Sequence, residues 1–148
     1  MEPTRDITEV TTVAIDAAAM LREVRRDSTG AIASFLGVVR NEHQGRRVDH
    51  LVYEAYPPMA EREMRRIAAE IRSKWSVDRI AILHRVGRLE IGEASILIAI
   101  AAPHRREALE ACSFAIETIK RTLPVWKKEY SDKGEEWIIG DPSLDESS

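Results

Sequence analysis

One stretch constrains the fold more than any other: PHRREALEACSFAIETIKRTL, residues 103 to 123. At about 100° per residue it reads as one long α-helix, opened near Pro103 and ended near Leu123. With Ala108 at zero, Cys112, Ala115, Ile116, Ile119 and Leu123 fall within about 100° of one another, the stripe by which a helix docks on a core. Arg105 falls inside that stripe, His104 and Lys120 on its two edges, and Arg106 and Arg121 away from it. A helix with one apolar stripe needs a second layer to bury it, so the rest of the chain must supply a surface.

The remaining segments read as that surface. VTTVAI (10–15), AIASFLGVV (31–39), VDHLVYEAY (48–56), VDRIAILHRVG (77–87) and ASILIAIAA (94–102) are rich in β-branched and apolar residues and read as strands, the second of them buried. Gly37 marks a bulge or close backbone approach. RNEHQGRR (40–47) is polar and turn-like. RLEIGE holds a short extended piece and a turn at Gly92. Asp16 is placed to cap a short helix, AAAMLREVRR. Pro57 and Pro58 open another that runs to about Trp75, with Met59, Met64, Ile67, Ala68 and Ile71 on one stripe. Two extended segments, VWKKEY and EEWII, close the domain across an SDKG turn. Strands and helices are mixed without strict alternation. The expected class is α+β, a single domain with a mostly antiparallel sheet and helices on one side. The domain is expected over residues 1–140, with a disordered acidic tail, DPSLDESS, over 141–148.

Composition excludes several classes of function. The formal net charge is -3 and aromatics are 5% of the chain, so neither a global basic field nor many stacking platforms exist for nucleic acid. No apolar run approaches the roughly 20 residues of a membrane helix, and the N-terminus lacks a signal-peptide core, so a cytoplasmic protein is expected. One cysteine, Cys112, precludes an intrachain disulfide. It lies on the core stripe and reads as a buried structural thiol. His43, His50 and His84 are scattered with no metal-ligand spacing, so no metal and no cofactor is expected.

The cations of the long helix carry the chemistry. Arg105 on a core stripe needs a carboxylate such as Glu54 or Glu90, or a bound anion. His104, Arg105 and Arg106 sit at the helix end that already favours negative charge, and a phosphate there would resolve the mismatch. Lys120 complements the helix dipole at the other end and needs no further role for that. Beyond Pro124, strand alternation puts Lys127 and Lys128 on opposite faces. Both could be a solvated edge. A turn after Leu123 would instead fold Lys127 back toward Lys120. Ammonium groups brought together weaken each other's hold on the proton, which makes one a candidate base or nucleophile.

Five stretches in order, GAIASFLGVVRN, LVYEAYPPMAE, ILHRVGRLEIGE, APHRREALEAC and IKRTLPVWKKE, resemble the large catalytic subunit of molybdopterin synthase over roughly residues 30 to 138. The resemblance implies an α/β-hammerhead-like fold. It implies a sulfurtransferase of molybdenum cofactor biosynthesis that converts cyclic pyranopterin monophosphate to molybdopterin. Sulfur would arrive as a thiocarboxylate on the C-terminal Gly-Gly tail of a small ubiquitin-like partner. The large subunits would form a central homodimer within a heterotetramer. Carried over by residue, the resemblance makes Lys120 and Lys127 catalytic. It gives substrate binding to Arg40, His104 and Arg105, with Val38, Val39, Lys128 and Glu129 flanking the pterin. Phe35 would stand beside the incoming tail. Ile116 replaces a methionine common one turn before the first lysine, and Cys112 replaces a small residue. The rival reading is a non-catalytic dimeric scaffold that binds an anionic ligand or a protein tail.

Overall fold

The computed structural model of the protein describes residues 6–138. The acidic tail expected over 141–148 lies outside the described residues. The elements run β1 (Ile7–Thr11), α1 (Ala17–Glu23), β2 (Ala31–Val38), β3 (Glu42–His43), β4 (Arg46–Ala55), α2 (Pro57–Lys74), β5 (Arg79–Arg85), β6 (Gly87–Glu90), β7 (Ala94–Ala102), α3 (Arg105–Thr122), β8 (Val125–Ser131) and β9 (Gly134–Ile138). This is the expected α+β class.

The strands form two sheets. The first has order β1-β5-β7-β2 and is antiparallel except for the parallel β1–β5 pair. The second has order β3-β4-β8-β9, with β6 added on β4. The most apolar strands, β5 and β7, occupy the centre of the first sheet because both of their faces are covered. Ile80, Ile82, Ile96, Ile98 and Ile100 face α2 and α3 in the main core, with Met64, Ile67 and Ile71 of α2 and Ala108, Ala111, Ala115 and Ile119 of α3. Ala81, Leu83, Ala99 and Ala101 face the other way, against Met20 and Leu21 of α1. Helices therefore cover both faces of this sheet, not one. Each fully buried Ile or Met side chain contributes about 1.5–3 kcal/mol from burial alone.

Several local expectations hold. Asp16 caps α1 by accepting from the Ala19 N–H at 3.1 Å. Pro57 and Pro58 stand in the first turn of α2. A register shift falls between Gly37 and Val38, where a Cβ on Gly37 would lie 2.7 Å from Ile96. Others differ. The first strand is Ile7–Thr11, not 10–15, because Ile7 pairs with Ala81 and Thr11 with Arg85 along β5. The polar loop 40–47 folds as the tight β3–β4 hairpin, its turn made by Gln44 and Gly45 with positive φ. Strand β2 is an edge strand rather than a buried one, with Leu36 and Val38 exposed. Met59 leaves the α2 stripe for solvent while Ala60 takes the buried place.

Gly30 is a point of close backbone approach. Its N–H donates to the Ala102 carbonyl at 2.9 Å, and a Cβ there would lie 2.2 Å from the Pro103 carbonyl oxygen. Gly30→Ala is therefore expected to destabilise the protein by about 1–3 kcal/mol, measured by urea unfolding. Unchanged stability would mean that the β2–α3 junction yields freely.

Candidate active site

The site forms where α3 ends. The Leu123 N–H donates to the Ile119 carbonyl, Pro124 stops the helix, and Val125 begins β8. The chain thus reverses within a few residues of Lys120. Strand β8 then pairs with β4 in the register Tyr53↔Lys127, Val52↔Lys128 and Leu51↔Glu129. Side chains alternate along a strand, so Lys127 and Glu129 share the face of Tyr53 and Leu51, and Lys128 takes the other.

Two adjoining cavities result. The larger, of about 240 Å³, is lined among others by His84, Leu123, Pro124, Val125 and Trp126. The smaller, of about 140 Å³, is lined by Phe35, Gly37, Val38, Val39, Arg40 and Glu129, among others. Tyr53, Ser95, Ile96, Lys120 and Lys127 line both, so the two lysines stand at the boundary between the chambers. Among the described residues no carboxylate forms an ion pair with Lys120 or Arg40. The one acidic side chain buried at the smaller chamber, Glu129, is 2% exposed and already engaged. Its Oε2 lies 2.9 Å from His43 Nδ1 and its Oε1 lies 3.2 Å from Arg46 Nη2. The carboxylate thereby ties the β3–β4 hairpin to β8. The local field is cationic although the chain as a whole is acidic, and such a pocket attracts an anion.

His84 completes the larger chamber. It ends the inward row of Ile80 and Ile82 on β5 and is buried. Burial, then the nearby Lys120 and Lys127 charges, lower its pKa to about 4. The Tyr53 ring meets it edge-on at 5.0 Å between centroids. Burial raises the Tyr53 hydroxyl pKa above its ordinary value, opposed by a hydrogen bond with Ser95.

Of the residues singled out in the sequence, Phe35, Val38, Val39, Arg40, Lys120, Lys127 and Glu129 come together here. Four do not. His104 caps α3 and Arg105 is its first residue, both exposed, about 22 Å from Lys120 by the helix rise. The buried face of α3 includes Ala111 and Thr118, which turns it about 50° away from the arc that would have taken in Arg105. Arg105 consequently needs no buried partner; Glu90 pairs with Arg88 instead. Lys128 points outward to Glu135 at 2.8 Å and over the Trp137 ring at 5.1 Å. Ile116 packs against the main core and lines neither chamber. Burial pushes the Cys112 thiol up to about 11, which keeps it unreactive. His84, Tyr53 and Ser95 escaped the sequence reading. The only signal was a histidine at an inward position of an otherwise apolar strand. Among the described residues no three His, Cys, Asp or Glu side chains cluster to hold a metal.

A helix-backed sheet joined to a second sheet, with two amines at the boundary of paired cavities, defines an α+β protein with a lysine-lined pair of chambers. The family described as MoaE protein matches residues 10–122, and the chain belongs to this family. It is 49% identical over 118 residues to the molybdopterin synthase catalytic subunit of Pyrococcus abyssi, covering 80% of each chain. It is 45% identical over 130 residues to the protein of that name in Bacillus subtilis, covering 88% of this chain and 83% of the relative. The crystal structure of molybdopterin synthase from Staphylococcus aureus superposes with a TM-score of 0.84 at 37% identity, covering 88% of this chain and 96% of the other.

The His84 shift has a consequence for stability. Its folded pKa of about 4 lies below the ordinary 6.5, so the unfolded chain binds the proton first as pH falls. The stability is complete above pH 6.5 and is lost as pH falls toward 4, by about 3 kcal/mol in all. Urea unfolding of the parent and His84→Gln between pH 7 and 4 should show the parent losing that much more than the variant. Parallel curves would contradict a neutral, buried imidazole.

Proposed function

We propose that this chain works as the catalytic subunit of a molybdopterin synthase. It transfers sulfur to cyclic pyranopterin monophosphate from the thiocarboxylated Gly-Gly tail of a small partner. Membership of the MoaE family supports the reaction class, and the relatives' name, a catalytic subunit, implies a second chain. The observation that carries the reading is the pair of chambers meeting at Lys120 and Lys127. Two reactants, a tail and a pterin, need two adjoining spaces and a shared reactive boundary.

In this reading Arg40, exposed beside the smaller chamber, takes a substrate oxyanion through charge-assisted hydrogen bonds. Lys120 moves a proton during sulfur attack or accepts the partner's acyl group. Lys127 stabilises the negative charge that develops on the pterin or the thiocarboxylate. Glu129 acts by holding the hairpin that carries the loop after Arg40, since its oxygens already serve His43 and Arg46. His104 and Arg105 cannot reach the lysines of their own chain. If they hold substrate, they serve the site of a second copy in the central homodimer, the two-fold arrangement in which each patch meets its mate.

Reconstitution with a thiocarboxylated partner and the pterin substrate tests the roles. Lys120→Ala and Lys127→Ala should each lower the yield of dithiolene by about 10²-fold or more with the fold intact. Near-normal transfer in Lys120→Ala would remove that residue from the mechanism. Arg40→Ala should raise KM by about tenfold or more. Mixing Lys120→Ala with Arg105→Ala should restore about a quarter of parent activity, since half the dimers are mixed and carry one intact site. No recovery would confine each site to one chain or take Arg105 out of it.

A further inference from the structure

The tie between His43 and Glu129 leaves part of the histidine unused. His43 ends β3 at the hairpin turn, and its side chain is 11% exposed. Its Nδ1 lies 2.9 Å from Glu129 Oε2. A carboxylate only accepts, so Nδ1 carries the proton, and in the neutral ring Nε2 keeps its lone pair. Nε2 is buried and has no hydrogen-bond partner among the described residues. Holding the hairpin takes one ring nitrogen. The other is a buried acceptor left unmet, at a cost of about 1–3 kcal/mol. Such an atom in a folded protein marks a place for a water or a ligand.

His43 borders the smaller chamber together with Arg40, three positions earlier in the chain. Val39, Val48 and Leu51 give the same chamber a buried apolar wall. An occupant that answers all three features carries an anionic group for Arg40, a flat apolar face for the wall and an N–H for the histidine. A pterin phosphate has each of these. An extended peptide tail ending in glycines has no ring face to offer. We propose that His43 is a further substrate-binding residue of the smaller chamber: its Nε2 accepts a hydrogen bond from an N–H on the edge of the pterin ring, and Glu129 holds the imidazole in the tautomer that does so. The proposal deepens the sulfur-transfer reading and rests on it, since that reading supplies the pterin.

The test reads the contact without turnover. Long-range proton–nitrogen NMR of the histidine-labelled full chain at pH 8 should show His43 protonated at Nδ1 only. Its Nε2 signal should move toward that of a hydrogen-bonded acceptor as cyclic pyranopterin monophosphate is added. Equilibrium dialysis of the same compound then gives Kd. His43→Gln keeps an acceptor near the Nε2 position and should bind within about threefold of the parent. His43→Leu fills the space without an acceptor and should weaken binding by about tenfold, with the thermal midpoints of the two variants matched. Pterin binding with the Nε2 signal unmoved, or equal affinity in the two variants, overturns the proposal and leaves the sulfur-transfer reading standing. A shift produced by a synthetic peptide ending in Gly-Gly and not by the pterin gives the chamber to the tail, which overturns the proposal as well. Absence of pterin binding in the parent chain would count against the sulfur-transfer reading itself, and the proposal would fall with it.

Discussion

Everything at the site depends on the register of β8 against β4. Lys127 lies opposite Tyr53 and Glu129 opposite Leu51. A slip of one residue would turn Lys128 inward and send Lys127 and Glu129 to the outer face. Pro124 and the Leu123 cap set the start of that strand, and the α3 stripe anchors the helix that delivers it. Packing of one helix on the β5–β7 centre therefore decides, two steps later, which amines meet.

The electrostatics follow from which charges are compensated. Glu129 is buried and engaged by His43 and Arg46, so it stabilises the hairpin rather than neutralising the lysines. Lys128 is spent on Glu135 and the Trp137 face. Lys120 and Lys127 line both chambers, Arg40 lines the smaller, and a neutral imidazole lines the larger. A chain with a formal net charge of -3 thereby gathers three cationic side chains around one pair of chambers, a local concentration of positive charge that the overall field does not show.

Much of this was legible in the residues. The 3.6-residue period of α3 and the proline after it were enough to place Lys120 at a helix end; they left the return of Lys127 toward it as one of two readings, and the family resemblance favoured it. Gly37 announced its bulge, and Asp16 its cap. What failed did so for physical reasons. Periodicity gives the angle of Arg105 around the helix but not where the packing partners stop, and α2 draws the buried face toward Ala111 and Thr118. The start of β1 is set by pairing with β5, which propensity in VTTVAI cannot see. The exposure of β2 follows from its place at the sheet edge, a property of topology. His84 and Tyr53 are 31 residues apart in sequence and meet only because two sheets abut.

The central claim is that the partner's tail ends at the lysine pair. Its most direct measurement activates the C-terminal Gly-Gly carboxylate of the partner in the complex, without pterin, and maps the remnants of the partner's C-terminal peptide on this chain by mass spectrometry after proteolysis. The account predicts remnants on Lys120 or Lys127, lost when those residues are replaced. Remnants confined to outlying lysines such as Lys74 and Lys133, with Lys120 and Lys127 unmodified, would contradict it.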